Sequence, residues 1–182
     1  IERRMLVTHS NSLTEFAHLL GDSPDEVNIL TKEILIGVTN FFRDPAFFEK
    51  LKYNAIYKIV ERAQENEPIR VWSAGCSTGE EAYSIAILFQ EVMDELQVKR
   101  DVKIFATDVD GRAIEQAGKG TYSENIIDDV SADRLTRFFT KHNDQYHISK
   151  AIRRMIVFAT HNMFSDPPFG KLGMISCRNV MV

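Results

Sequence analysis

The chain has 182 residues, 44% of them hydrophobic and 26% charged, which suits one domain with a sizeable buried core. A formal net charge of -4, with acids and bases interspersed, gives no electrostatic case for nucleic acid as a partner. No stretch reaches the roughly 18 apolar residues that span a bilayer, the start IERRMLVTHS lacks a signal-peptide core, and Cys76 and Cys177 show neither metal-site nor disulfide spacing, so the expectation is a cytoplasmic protein with no direct membrane insertion and no metal.

The first forty residues read as helices. Ser23 and Glu26 have capping-box spacing with Pro24 at the first helical position, and Val27, Leu30, Ile34 and Leu35 form an apolar face that predicts a helix ending near Gly37. After VTNFFR, Asp44 and Pro45 repeat the cap-then-proline signal and open a helix on which Phe48, Leu51, Ile59 and Ala63 recur, until the polar segment QENEP ends it. From Ile69 short continuous apolar runs alternate with helical patterns, as in a parallel sheet covered on both faces. The predicted strands are IRVWSA, VKIFAT, MIVFAT and LGMIS. A helix through Ala82, Ile85, Ala86, Phe89, Met93 and Leu96 joins the first two, and a shorter one through Ala113, Ile114 and Ala117 follows the second. Ser131 caps a predicted helix carrying Leu135, Phe138 and Phe139, after which QYHISKAIRRMIVFAT predicts a hairpin whose second arm runs on into the third sheet strand.

The turn SAGCSTGEE lies where an open α/β sheet binds ligands, at the carboxyl end of the first strand. Its glycines, Gly75 and Gly79, fit neither GxGxxG nor a phosphate loop, and Glu80 and Glu81 would repel a pyrophosphate at the helix N-terminus while attracting a cation. Acids in a first helical turn also simply offset the helix dipole, and that reading stands beside the first. The second strand ends in Asp108, placed to accept hydrogen bonds from ribose hydroxyls, with Asp110 the better placed helix cap. A ligand with adenosine and positive charge but no phosphate is S-adenosylmethionine.

Four segments, VTNFFRDPAFF, RVWSAGCSTGEEAYSIA, FATDVDGRAIEQAGKGTY and ISCRNVM, closely resemble, in this order and spacing, the CheR-type chemotaxis receptor methyltransferases, and ILIGVTNFFRD looks most like members fused to sensory or methylesterase domains. The resemblance implies a Rossmann-like class I S-adenosylmethionine-dependent methyltransferase fold: a parallel sheet with flanking helices, a small N-terminal helical segment over 1–44, and a cofactor domain over 45–182 with a hairpin insertion at about 131–155. It further implies methyl transfer from S-adenosylmethionine to glutamate side chains on the cytoplasmic domain of a methyl-accepting chemoreceptor, with S-adenosylhomocysteine as product. By motif, Thr39, Arg43, Ala74, Gly75, Glu81, Asp108, Asn162, Met163, Arg178 and Asn179 would line the cofactor, and Arg43 would be catalytic.

Blander readings accompany these residues. Arg43 alone would pair with a surface acid, and Asn162 and Asn179 sit where turn-forming Asn is common. Phe41, Phe42, Trp72 and Tyr83 are expected to be packing residues, His161 a solvated or packed histidine rather than a base, and Cys76 an unreactive small residue. Gly37 stands where many family members carry Asn, and members usually continue past CRNVM into further strands, so the chain reads as a piece of something longer with an exposed sheet edge and an apolar face. A short hairpin region without glycine between Tyr122 and Met163 argues against docking of a receptor tail there. Two other functions compete: a non-catalytic module that binds S-adenosylmethionine or S-adenosylhomocysteine in signalling, and a nucleotide-binding dehydrogenase domain, which the missing GxGxxG disfavours.

Overall fold

The computed structural model describes residues 1–34 and 39–178, and the chain divides into two compact units, Ile1–Gly37 and Val38–Val182. The first unit contains α1 (Glu2–Val7), α2 (Leu13–Asp22) and α3 (Pro24–Ile34). The capping box at its third helix is half formed. Ser23 Oγ accepts from the Glu26 amide at 3.3 Å, but the Glu26 carboxylate turns away to take two bonds from Arg4, at 2.7 and 2.6 Å. A paired guanidinium satisfies both carboxylate oxygens, which the single amide of a capping box does not. Leu35 and the expected helix end at Gly37 lie outside the described residues.

The second unit opens with α4 (Pro45–Leu51), which continues through a π-helical segment, Lys52–Ile56, into α5 (Tyr57–Arg62). Asp44 does precede this helix, yet its side chain makes no cap hydrogen bond. Then follow β1 (Ile69–Ala74), α6 (Glu80–Glu95), β2 (Val102–Asp108), α7 (Gly111–Lys119), β3 (Thr121–Ser123), a 3-10 turn (Glu124–Asp128), α8 (Ala132–Phe138), β4 (Phe139–His142), β5 (Gln145–Ile148), α9 (Lys150–Arg153), β6 (Ile156–Thr160) and β7 (Met174–Cys177). Among the described residues the main sheet is wholly parallel, in the order β6-β2-β1-β7. The four predicted strands therefore all form, in one sheet.

The core lies between this sheet and α6. That helix buries residues on every side, from Ala82 to Phe89 and again at Val92 and Met93, which explains why its sequence is apolar nearly all round. Val71, Ile104 and Ile156 meet it from the sheet, and Phe41, Phe42, Trp72 and Tyr83 are buried, as expected of packing residues. On the opposite sheet face Val157, Phe105, Trp72 and Ile175 fall in one register row. Phe169 stacks on Phe105 at 4.8 Å, while Val157 and Ile175 remain half or more exposed.

One predicted element is corrected. The arms expected within QYHISKAIRRMIVFAT do not pair with each other: β6 joins the main sheet as expected, but β5 pairs antiparallel with β4 and β3 in a separate three-stranded sheet, and α9 intervenes before β6. Ser149 caps α9 through its hydroxyl, which accepts from the Ile152 amide, and so ends the strand. The hairpin turns without glycine because Asn143 takes the left-handed conformation, at φ 52°. Phe139, expected at the end of α8, is instead the first residue of β4.

Candidate functional site

The loop from β1 to α6 is built by left-handed residues. Gly75 (φ 68°), Ser77 (φ 47°) and Gly79 (φ 95°) reverse the chain within five positions. A Cβ at Gly79 would sit 2.9 Å from the Cβ of Ala117 and 3.2 Å from the Phe158 ring, so glycine is required there for space as well as for conformation. Two bonds fasten the loop to β2: the Cys76 amide donates to the Thr107 carbonyl at 2.9 Å, and the Ser77 amide donates to Asp108 Oδ2 at 2.8 Å. Asp108 Oδ1 accepts from the Asp110 amide at 3.0 Å, and Asp110 itself caps α7. Asp108 thus holds the loop in shape from the carboxyl edge of the sheet, and each carboxylate oxygen retains a second lone pair.

The two glutamates of the loop separate. Glu80 accepts from Thr78 Oγ1 at 2.9 and 2.7 Å, within the loop itself, and burial raises its pKa above the ordinary carboxylate value. Glu81 turns toward β7. Its Oε1 accepts from Ser176 Oγ at 2.7 Å and from Ser73 Oγ at 3.5 Å, and its Oε2 lies 3.8 Å from Arg178 Nη1. Burial raises the Glu81 pKa above the ordinary carboxylate value, although Ser176, Arg178, Ser73 and Arg43 all pull it down. A buried carboxylate with that balance gains from an added cation.

Ala74 ends β1, buried, and Gly75 follows it at the turn. Arg43 sits between two non-glycine residues of positive φ, Phe42 (50°) and Asp44 (63°), and its guanidinium is near enough to Glu81 to lower that pKa. Thr39, at the start of the same segment, is half-buried. Arg178, directly after β7, pairs with Asp44 at 2.6 Å, donates to the Arg43 carbonyl at 3.1 Å, and lies 4.1 Å from the Phe47 ring centre. The segment carrying Arg43 and the ends of β1 and β7 are therefore brought together around Glu81, while the end of β2 fastens the loop through Asp108. Asn162 and Met163 follow β6 by two and three residues; Asn162 is exposed, and its Oδ1 accepts from the Phe164 amide as a turn former does. Asn179 lies outside the described residues.

His161 packs against Trp72 and Phe169 with Nε2 bonded to the Pro167 carbonyl at 3.1 Å, and Cys76 is buried with its thiol pKa pushed up by desolvation first. Sequence reasoning missed Ser73 and Ser176. They are register partners on adjacent strands, and the available signal was two serines at matched positions inside otherwise apolar runs. Also missed was the Asp44–Arg178 pair, which joins residues 134 positions apart.

A parallel sheet, a left-handed glycine loop after its first strand, and acids in place of a phosphate cradle at the strand ends together define the Rossmann-like fold of S-adenosylmethionine-dependent methyltransferases. Comparison with known proteins narrows this. The family model of the CheR methyltransferase, SAM binding domain, matches residues 37–182, and the chain belongs to that family. It is 44% identical over all 182 residues to an uncharacterized 104.1 kDa protein of Rhodobacter capsulatus, covering 19% of that protein. It is 32% identical over 178 residues to a chemotaxis protein methyltransferase of Borreliella burgdorferi, covering 94% of this chain and 63% of that one. With chemotaxis protein methyltransferase 2 of Vibrio cholerae it shares 29% identity, over 100% of this chain and 64% of the relative. The chain spans less than two thirds of each of these relatives.

Proposed function

We propose that the protein binds S-adenosylmethionine and transfers its methyl group to glutamate side chains on the cytoplasmic domain of a methyl-accepting chemoreceptor, working in the cytoplasm. The observation that supports this best is the largely buried Glu81, flanked by Arg43 and Arg178, at the helix start of the loop that Asp108 fastens. When bound, S-adenosylmethionine supplies an electrophilic methyl group on a sulfonium, which departs as the neutral thioether of S-adenosylhomocysteine.

The chain's own residues have little proton chemistry to perform. An acceptor glutamate, with a reference pKa of about 4.3, is already ionised near neutrality, so no general base is needed. Glu81 draws the cationic end of the cofactor into place, and Asp108 with Gly75 and Ala74 offers the ribose an acid and a close backbone. Arg43 holds one oxygen of the acceptor carboxylate through its guanidinium, helped by Thr39 of the same segment, leaving the other oxygen free to attack. Orientation of this kind is worth roughly 7–11 kcal/mol, and exclusion of water adds to it because charge disappears as the ester forms.

The test is to incubate the full-length protein with methyl-labelled S-adenosylmethionine and receptor cytoplasmic domains. Base-labile label on the receptor is the expected result, and Arg43→Ala should lower turnover by about 100-fold with the melting temperature almost unmoved. Undiminished transfer by that variant removes Arg43 from the mechanism. Cofactor binding without any labelling would instead favour the non-catalytic signalling module.

A further inference from the structure

We propose that Asp44 is a positioning residue which, acting through Arg178, fixes the strained backbone that carries Arg43; the role assigned to Arg43 rests on the methyltransferase reading above. Three observations meet at this point. First, Asp44 stands at the N-cap of α4 in a left-handed conformation (φ 63°, ψ 75°), yet its side chain caps nothing. Pro45, which follows, restricts Asp44 further by excluding the right-handed helical region. Phe42, on the other side of Arg43, is left-handed as well (φ 50°). Non-glycine residues in that region persist only where surrounding contacts over-determine them, and they gather at functional sites.

Second, the contacts that do so are visible. The Phe42 amide donates to Ser84 Oγ at 3.0 Å, and Ser84 is itself anchored on the Glu80 carbonyl at 2.7 Å. On the other side Arg178 Nη2 donates to Asp44 Oδ2 at 2.6 Å and Nη1 donates to the Arg43 carbonyl at 3.1 Å. One guanidinium therefore grips the side chain of Asp44 and the backbone of Arg43 together. Third, that guanidinium is not free to wander: its side chain is 15% exposed, it lies over Phe47 and Phe48 at 4.1 and 5.3 Å, and Glu81 Oε2 stands 3.8 Å away. The clamp is thus rigid at Arg178 and shares a partner with the cofactor site.

Asp44 is 68% exposed, and exposed ion pairs contribute little to global stability. A residue of that kind is poorly explained as a fold stabiliser and well explained as a device of alignment, since a misplacement of about 1 Å can cost two orders of magnitude in rate.

The test is Asp44→Asn in the full-length protein. Asn is nearly isosteric and tolerates the left-handed region as Asp does, so the substitution removes the charge and leaves the backbone preference in place. Three results are expected: amide hydrogen exchange across residues 41–47 rises, kcat falls by about tenfold or more, and affinity for S-adenosylhomocysteine changes by less than about threefold. The melting temperature should move by less than about 4 °C. Unchanged exchange over 41–47, unchanged kcat, or a loss of affinity as large as the loss of kcat each overturns the proposal. If the wild-type protein binds S-adenosylhomocysteine but methylates no carboxylate, the methyltransferase reading fails, and exchange over 41–47 still decides the clamp.

Discussion

The carboxyl of Glu81 has 16% of its side chain exposed, and burial is the largest influence on its pKa, lifting it above the ordinary 4.5. An acid whose folded pKa is raised lends stability that is fully present below the ordinary value and lost as pH rises through the folded value. Glu81→Gln removes that titration, so the stability of the variant relative to wild type should increase as pH is raised from about 4.5 to 7 in urea unfolding. The same change should weaken S-adenosylhomocysteine by about 10- to 100-fold, the worth of a charge-assisted bond, measured by calorimetry. A stability difference flat in pH would show that the carboxyl is not held against its preference. From its residues alone the glutamate pair does not say which acid turns into the sheet edge; it was the motif resemblance that singled out Glu81. Thr78 and the two strand serines sort them, and those are contacts made across the sheet, which no local window contains.

At the scale of elements, the strands and α6 were plain because continuous apolar runs and an all-round apolar helix each have one stable placement. The hairpin was misread because α9 has four residues, too few to establish a period, and because Asn143 does the work expected of glycine. The π-helical segment was equally hidden. It directs Lys52 inward, where Nζ donates to Glu91 at 3.1 Å and Glu95 at 2.7 Å, while Arg134 donates to Glu91 at 2.7 and 3.0 Å and lies 4.0 Å over Phe42. Burial pushes the Glu91 pKa up, but Arg134 and Lys52 together hold it below 4.5. Its contribution to stability is therefore present above the ordinary value and lost as pH falls through the lower folded one. Glu91→Gln leaves buried Lys52 with Glu95 alone and deprives half-buried Arg134 of its carboxylate, and should cost roughly 3 kcal/mol, or about 6–12 °C in melting temperature. The variant should also lose part of the acid sensitivity that wild type shows below pH 4.5, as followed by circular dichroism.

For the whole molecule, every described contact of the candidate site lies within the unit Val38–Val182. The segment 39–44 is tied into it at long range: Asn40 donates to Asp129 at 2.8 Å, and Phe42 reaches Ser84. Composition groups these residues with the preceding helices, because nothing in the local pattern announces partners 42 and 89 positions away. A chain beginning at Val38 is expected to bind S-adenosylhomocysteine within about threefold of the full chain, whereas one beginning at Pro45 lacks Thr39 and Arg43 and should bind at least about tenfold more weakly. Equal affinity of the two shortened chains in titration calorimetry would remove the 39–44 segment from the cofactor site.

The shared acceptor of Ser73 and Ser176 also bears on how the sheet assembles. These serines face each other only when β7 docks beside β1 in its native alignment. A slip of one residue would turn Ser176 to the opposite face and offer Glu81 the thiol of Cys177 or the aliphatic branch of Ile175 instead. The acid would then keep only the longer bond from Ser73, so misaligned pairing carries a penalty that the native one escapes. A single carboxylate thereby favours one alignment of two neighbouring strands over its one-residue slips.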